Sequence, residues 1–156
     1  GKTAFVERLI AALKARGIRI ATIKHSREAF DIDRQGTDTW RYRRAGSDVV
    51  VISAPGRMAL IEERADEASL DELISRLPAA VDLVVTEGYK GLPLPKIEVT
   101  TREVWETEGR ITPEGLLLAL VSDDDMTGMA EVPVYASDDV EGVVALLERL
   151  GVVQRR

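Results

Sequence analysis

The chain has 156 residues, 45% of them hydrophobic and 31% charged, which is ordinary for a soluble globular domain with its own core. It holds no cysteine and one histidine, His25, so disulfides, thiolate metal sites and multi-histidine metal sites within one chain are excluded, and a reducing cytoplasm is the expected location. The net charge of −6 is uneven: residues 1–54 carry eleven Lys/Arg against six Asp/Glu, while residues 55–156 carry ten against twenty-one. The basic first third suits a polyanion such as a nucleotide, and the acidic remainder argues against a broad nucleic-acid surface. No apolar run is long enough to span a membrane, and no signal peptide is visible.

Gly1-Lys2-Thr3 reads as the back end of a phosphate-binding loop, G-x-x-x-x-G-K-[ST], opening onto a helix. Backbone N–H groups of Gly1 to Ala4 at that helix start would hold phosphate oxygens. Lys2 would reach the terminal phosphates, and the Thr3 hydroxyl would ligate Mg²⁺. Such a loop needs an earlier glycine and a preceding strand. The expectation is therefore one P-loop nucleotide-binding domain over residues 1–156 whose first strand and loop start are missing from this sequence. Without that segment, nucleotide affinity is expected to be poor.

Phe5, Val6, Leu9, Ile10 and Leu13 follow helical spacing, with Lys14 and Arg16 in the last turn and Gly17 as the stop. Residues 18–23 (IRIATI) form a β-branched strand, and a helix leading into a strand is the rhythm of a parallel α/β sheet. The polar stretch from Lys24 to Gly36 lies just after that strand's end, where open α/β sheets bind ligands. Thr37 can cap a short helix carrying Trp40, Arg41, Arg43 and Arg44. Residues 48–53 (DVVVIS) look like a buried strand, and residues 57–61 are placed to pair antiparallel with them. Ser69 to Glu72 is a capping box for a helix with Leu70, Leu73, Ile74 and Leu77 on its apolar face.

Residues 81–86 (VDLVVT) are a strand ending in Glu87-Gly88, and residues 96–99 are a short strand. Residues 101–114 read as a surface excursion. Residues 116–121 (LLLALV) are a fully apolar strand followed by Ser122-Asp123-Asp124-Asp125. Residues 132–135 are a last strand. Asp138 and Glu141 read as the capping pair of a final helix built on Val140, Val143, Val144, Leu147 and Leu150, ended by Gly151. The fold class that results is α/β: a P-loop NTPase-like three-layer fold with a mostly parallel sheet, helices on both faces and some antiparallel strands.

With parallel strands, the C-terminal ends gather Lys24, His25, Glu87, Lys90, Ser122 and Asp123 at the phosphate-loop edge. Glu87 stands where a Walker B carboxylate would contact Mg²⁺ through water, and Gly88 would let the backbone pass close. A solvated turn carboxylate is the plain alternative for Glu87. Asp31 and Asp33 could position a water or a second metal shell, or form ordinary Asx turns. His25 could contact a phosphate or act as a base, or be structural. Lys2, Asp33 and Glu87 are the candidates for any hydrolysis. The three arginines near Trp40 cannot all face one ligand, and Trp40 suits core or interface better than base stacking. Ser122-Asp123 occupies the place where many GTP-binding proteins carry a base-reading Asp, whose carboxylate accepts from guanine N1–H and the 2-amino group; three consecutive aspartates also suit a plain loop.

Taken in order, GKT, the IKH pair, FDID, VDLVVTEGYKG, PLPKIEV, LALVSD and DVEGV resemble the MobB-type molybdopterin-guanine dinucleotide biosynthesis adaptor proteins. The likeness covers the chain apart from residues 101–114. It implies a P-loop GTP-binding protein of the SIMIBI class, a homodimer, with GTP as ligand, Mg²⁺ as its metal and slow GTP hydrolysis at most. It implies a role in molybdenum cofactor biosynthesis, assisting a MobA-type guanylyltransferase that attaches GMP to molybdopterin, with molybdopterin itself as a further candidate ligand. No nucleic-acid or membrane partner is implied.

By the same resemblance, Gly1, Lys2 and Thr3 match the phosphate loop, Lys24 and His25 the K-H pair, and Glu87 and Gly88 the E-G pair with Lys90 close behind. Asp31, Asp33, Gly36 and Asp38 match the loop after K-H, and Asp123 the base-contacting acid. Departures are Arg27 and Glu28, where the family often has further histidines, and Gln35, where it usually has proline. The alternatives are a P-loop small-molecule kinase or autonomous NTPase, and a docking or dimerisation module that binds no nucleotide.

Overall fold

The computed structural model describes residues 1–154. In chain order the elements are α1 (Lys2–Ala15), β1 (Ile20–Lys24), α2 (Asp38–Arg44), β2 (Val49–Ala54), β3 (Arg57–Glu62), α3 (Leu70–Ser75), β4 (Leu83–Glu87), β5 (Lys96–Val99), α4 (Arg102–Glu108), β6 (Leu117–Val121), β7 (Val134–Tyr135) and α5 (Val140–Arg149). The chain divides into two units, Ser26–Arg76 and the residues on either side of it.

In the larger unit the pairings are all parallel. β1 lies beside β4 in register from Ile20↔Leu83 to Lys24↔Glu87, and β5, β6 and β7 form a second sheet in that order. Crossover helices between parallel strands give the mixed α/β class expected from the helix–strand rhythm. The four-residue period of Phe5, Leu9 and Leu13 gives α1 its buried stripe. That stripe packs with Val140, Val143, Val144 and Leu147 of α5 and with Val121 of β6 in one cluster. Leu150, expected on the same face of α5, is 51% exposed, because the helix ends at its C-cap there.

β6 is covered on both sides. Val121 and Leu118 belong with the α1–α5 cluster, whereas Leu117 and Leu120 pack with Met126 and Trp105. Two residues three apart share a face because the register slips between Lys96 and Ile97: Leu117 is opposite Lys96 and Ala119 opposite Ile97, leaving Leu118 unopposed. Residues 101–114, expected as a surface excursion, lie at the surface apart from Thr112 but contain the helix α4. Thr101 caps it by accepting from the Val104 N–H, and Thr112 is fully buried, with its amide donating to Glu98 Oε1 at 2.6 Å. The cap of α5 also differs from expectation by one residue: Asp139, not Asp138, accepts from the Gly142 N–H at 3.0 Å.

In the unit Ser26–Arg76, β2 and β3 form an antiparallel hairpin from Val49↔Glu62 to Ala54↔Arg57. Gly56 takes φ +77° in its tight turn, a conformation glycine adopts without a Cβ penalty. Thr37 caps α2 and Ser69 caps α3, as their sequence patterns indicate. The Glu72 carboxylate does not complete the capping box; it pairs with Arg64 at 2.8 Å and Arg76 at 2.9 Å. The strand expected to be buried is not: of β2 only Val50 is buried. Cross-strand partners share a face, so Val49, Val51, Met58 and Leu60 form one apolar face, exposed by 46%, 53%, 69% and 50%.

Candidate nucleotide-binding site

The candidate phosphate-binding end is the start of α1. Gly1 is its N-cap, no side chain caps it, and no acidic residue stands in its first turn. A helix start carries the partial positive charge of its first amides, which suits an anion. Lys2, Thr3 and Ala4 are exposed there.

At the ends of β1 and β4 the parallel register sets Lys24 directly beside Glu87. The ladder continues one step further, with the His25 N–H donating to the Glu87 carbonyl at 2.9 Å. Gly88 follows at φ +95°, and a Cβ there would sit 3.0 Å from His25 Cβ and 3.3 Å from His25 O. Glycine is needed on both counts. Tyr89 has φ +52°, the only non-glycine residue in that region among those described. Its ring lies 4.9 Å from the His25 ring at a 35° tilt. Sequence reasoning singled out Lys24, His25, Glu87 and Gly88 but missed Tyr89, because nothing in its type announces a left-handed backbone.

The end of β6 supplies Ser122 and Asp123. Ser122 is buried, its amide donates to the Tyr135 carbonyl at 2.9 Å and its hydroxyl accepts from the Asp124 N–H at 3.2 Å. Asp123 is exposed, and its Oδ1 accepts from the Ser137 N–H at 2.7 Å. That amide first, and the Ser137 hydroxyl second, hold the Asp123 carboxyl below the usual carboxylate range against some desolvation; Arg8 of α1 adds to the effect. Arg8 also donates to the Ser137 carbonyl at 2.6 Å, so the loop after β7 is tied to α1.

Asp31 and Asp33 belong to the other unit. Asp31 Oδ1 accepts from the Asp33 N–H at 3.1 Å, the Asx turn anticipated for this pair, and from Arg43 Nη2 at 2.9 Å. Asp33 Oδ1 accepts from the Thr37 and Thr39 hydroxyls, while its Oδ2 is buried with no hydrogen-bond partner. The arginines of α2 diverge: Arg43 pairs with Asp31 and Glu63, Arg41 with Asp38, and Arg44 stacks over Trp40 at 5.5 Å.

Among the described residues no group of three or more His, Asp or Glu side chains could hold a metal by itself. The donors present, a threonine hydroxyl on α1 and a carboxylate at the end of β4, are hard oxygens. They suit Mg²⁺, which keeps several waters and is held by one or two protein oxygens together with phosphates. No helix among the described residues is long and apolar enough to cross a membrane.

The family model for molybdopterin guanine dinucleotide synthesis protein B matches residues 1–123. The chain belongs to the MobB family. It is 40% identical over 105 residues to the molybdopterin-guanine dinucleotide biosynthesis adapter protein of Haemophilus influenzae, covering 67% of this chain and 59% of that protein. To the protein of the same description from Escherichia coli K12 it is 33% identical over 146 residues, covering 92% of this chain and 82% of that one. Its fold is similar to the crystal structure of Bacillus subtilis MobB, with a TM-score of 0.74 and 26% identity over 100% of this chain and 93% of that one. The chain thus spans about three-fifths of the Haemophilus relative's length. The MobB match ends at Asp123, so every residue of the two strand ends, the helix start and the β6 end lies inside it.

Proposed function

We propose that this chain is a GTP-binding adaptor in molybdenum cofactor biosynthesis. It would assist a MobA-type guanylyltransferase that joins GMP to molybdopterin, with slow GTP hydrolysis at most and a cytoplasmic location. The observation that carries the reading is the strand-end pair, Lys24-His25 held against Glu87-Gly88 by the parallel register and by a backbone hydrogen bond. Family membership and a Gly-Lys-Thr helix start point the same way.

In this reading the first amides of α1, from Gly1 to Ala4, and the Lys2 ammonium hold the phosphates. Lys24, His25 and Gly88 line the same edge. Thr3 and Glu87 would hold Mg²⁺, which neutralises charge on the phosphate oxygens when bound. Ser122 and Asp123 face the base. An Asp123 carboxylate kept ionised accepts two hydrogen bonds from guanine that adenine cannot offer.

A homodimer is part of the proposal. The apolar face of Val49, Val51, Met58 and Leu60 on the β2–β3 hairpin is self-complementary in character and suits a second copy of the chain. The deciding experiment is isothermal titration of the full-length protein with GTP and ATP in the presence of Mg²⁺. GTP is expected to bind and ATP to bind more weakly, and Lys2→Ala should weaken GTP by roughly 10- to 100-fold. Absence of GTP binding would refute the reading.

A further inference from the structure

We propose that α4, through Trp105 and the Arg102 amide, is a positioning element for guanine selection, fixing the loop that follows β6 and so the aim of Asp123. The proposal rests on the reading of Asp123 as the base-contacting acid.

A carboxylate that must meet the N1–H and the 2-amino group together tolerates displacement of only about 0.5 Å. Asp123, however, stands at the head of an irregular, largely exposed stretch from residue 123 to residue 131. Such a stretch holds an aim only if it is tied down on both sides. On one side the tie is the Ser137 amide on Asp123 Oδ1. An oxygen of a carboxylate has two acceptor sites, so this bond leaves both oxygens able to receive a base.

On the other side the loop's side-chain and backbone hydrogen bonds to a neighbouring element come from α4. The Arg102 N–H donates to Asp124 Oδ2 at 2.8 Å, and Arg102 Nη1 donates to the Asp125 carbonyl at 3.3 Å. The Trp105 indole N–H donates to the Met129 carbonyl at 3.2 Å. Between these anchors Met126, 3% exposed, packs with Trp105, Leu117 and Leu120. A capped helix some twenty residues before the loop thus sends to that loop its hydrogen bonds outside itself. Asp124 is adjacent to Asp123, and its amide is in turn held by the buried Ser122 hydroxyl. Movement of the α4 start is therefore carried to Asp123 through one residue.

The test compares the full-length protein with Trp105→Phe, which keeps the apolar filling but removes the indole donor, and with Asp124→Ala. Each is titrated with GTP, with ITP, whose base lacks the 2-amino group, and with inorganic tripolyphosphate, all with Mg²⁺. The expected result is a Kd ratio of ITP to GTP that falls by about fivefold or more in both variants while tripolyphosphate affinity stays within about twofold of the parent. A parent ratio retained in both variants overturns the proposal and leaves GTP binding intact. Equal weakening of tripolyphosphate also overturns it, since α4 would then support the whole fold rather than the base loop. A parent protein that binds GTP and ITP alike overturns it together with the role given to Asp123. A parent protein that binds no GTP brings down the functional reading itself.

Discussion

Gly88 shows how a single backbone torsion can be set by the neighbouring strand. Its φ of +95° is left-handed, and a Cβ would meet His25 at 3.0 Å. Gly88→Ala should therefore lower stability by about 2–4 kcal/mol, adding a steric clash to the torsional penalty. Gly151→Ala, at φ +70° with open space around it, should lower stability by only about 1–2 kcal/mol. Urea unfolding of the two variants side by side separates the clash from the torsion. Asp123 carries a pH signature. Its folded pKa lies below its unfolded value because the Ser137 amide favours the charged form. The stability it contributes is complete above the unfolded pKa near 4 and is lost as pH falls through the lower folded value. Asp123→Asn should remove that dependence, and an NMR titration of the Asp123 carboxyl carbon should show a midpoint below that of an exposed Asp. At this scale the sequence was informative where residue type constrains the backbone, as at Gly88. It was silent on Tyr89, whose φ of +52° no tyrosine propensity foretells.

Elements were legible where a cap and a period agree. Thr37 and Ser69 each accept from the amide three residues on, and Phe5, Leu9 and Leu13 are the buried stripe of α1. Where two acids adjoin, the pattern does not choose between them, and Asp139 rather than Asp138 caps α5. Asp139→Ala should cost about 1 kcal/mol and Asp138→Ala much less, measured by the shift in thermal midpoint. α4 escaped the sequence reading because only Val104 and Trp105 among its seven residues are apolar, too few to display a period. Its anchor is tertiary: Trp105 meets residues 24 positions away. The failure at β2 has a different cause. A run such as Val49 to Ile52 reads as buried whether the cover comes from the same chain or from another. In the single chain most of it is open, and that mismatch between pattern and exposure is what directs attention to a second copy.

For the molecule as a whole, the hairpin face bears on the proposed homodimer. Leu60→Glu places a charge opposite Val51 on that face. It should convert a dimer to a monomer in sedimentation velocity with little change in the unfolding midpoint of the monomer, since neither side chain is buried within one chain. If the species sediments unchanged, the hairpin is not the interface. Parallel pairing, helix order and the MobB likeness were all readable at this scale because each follows from patterns spread over many residues. The bulge at Leu118 was not, since it is a property of how β6 meets β5 and not of β6 itself.

The pairing of the first helix with the last has a consequence for synthesis. Phe5, Leu9 and Leu13 find their cover in Val140, Val143, Val144 and Leu147, and Arg16 is salt-bridged to Glu141 and Glu148 across a separation of 125 residues or more. On the ribosome, α1 emerges long before its cover exists, for on the order of 10 s at ordinary elongation rates. During that interval a sticky apolar stripe is open to chaperones and proteases. The first helix thus gains its finished support only when α5 is delivered.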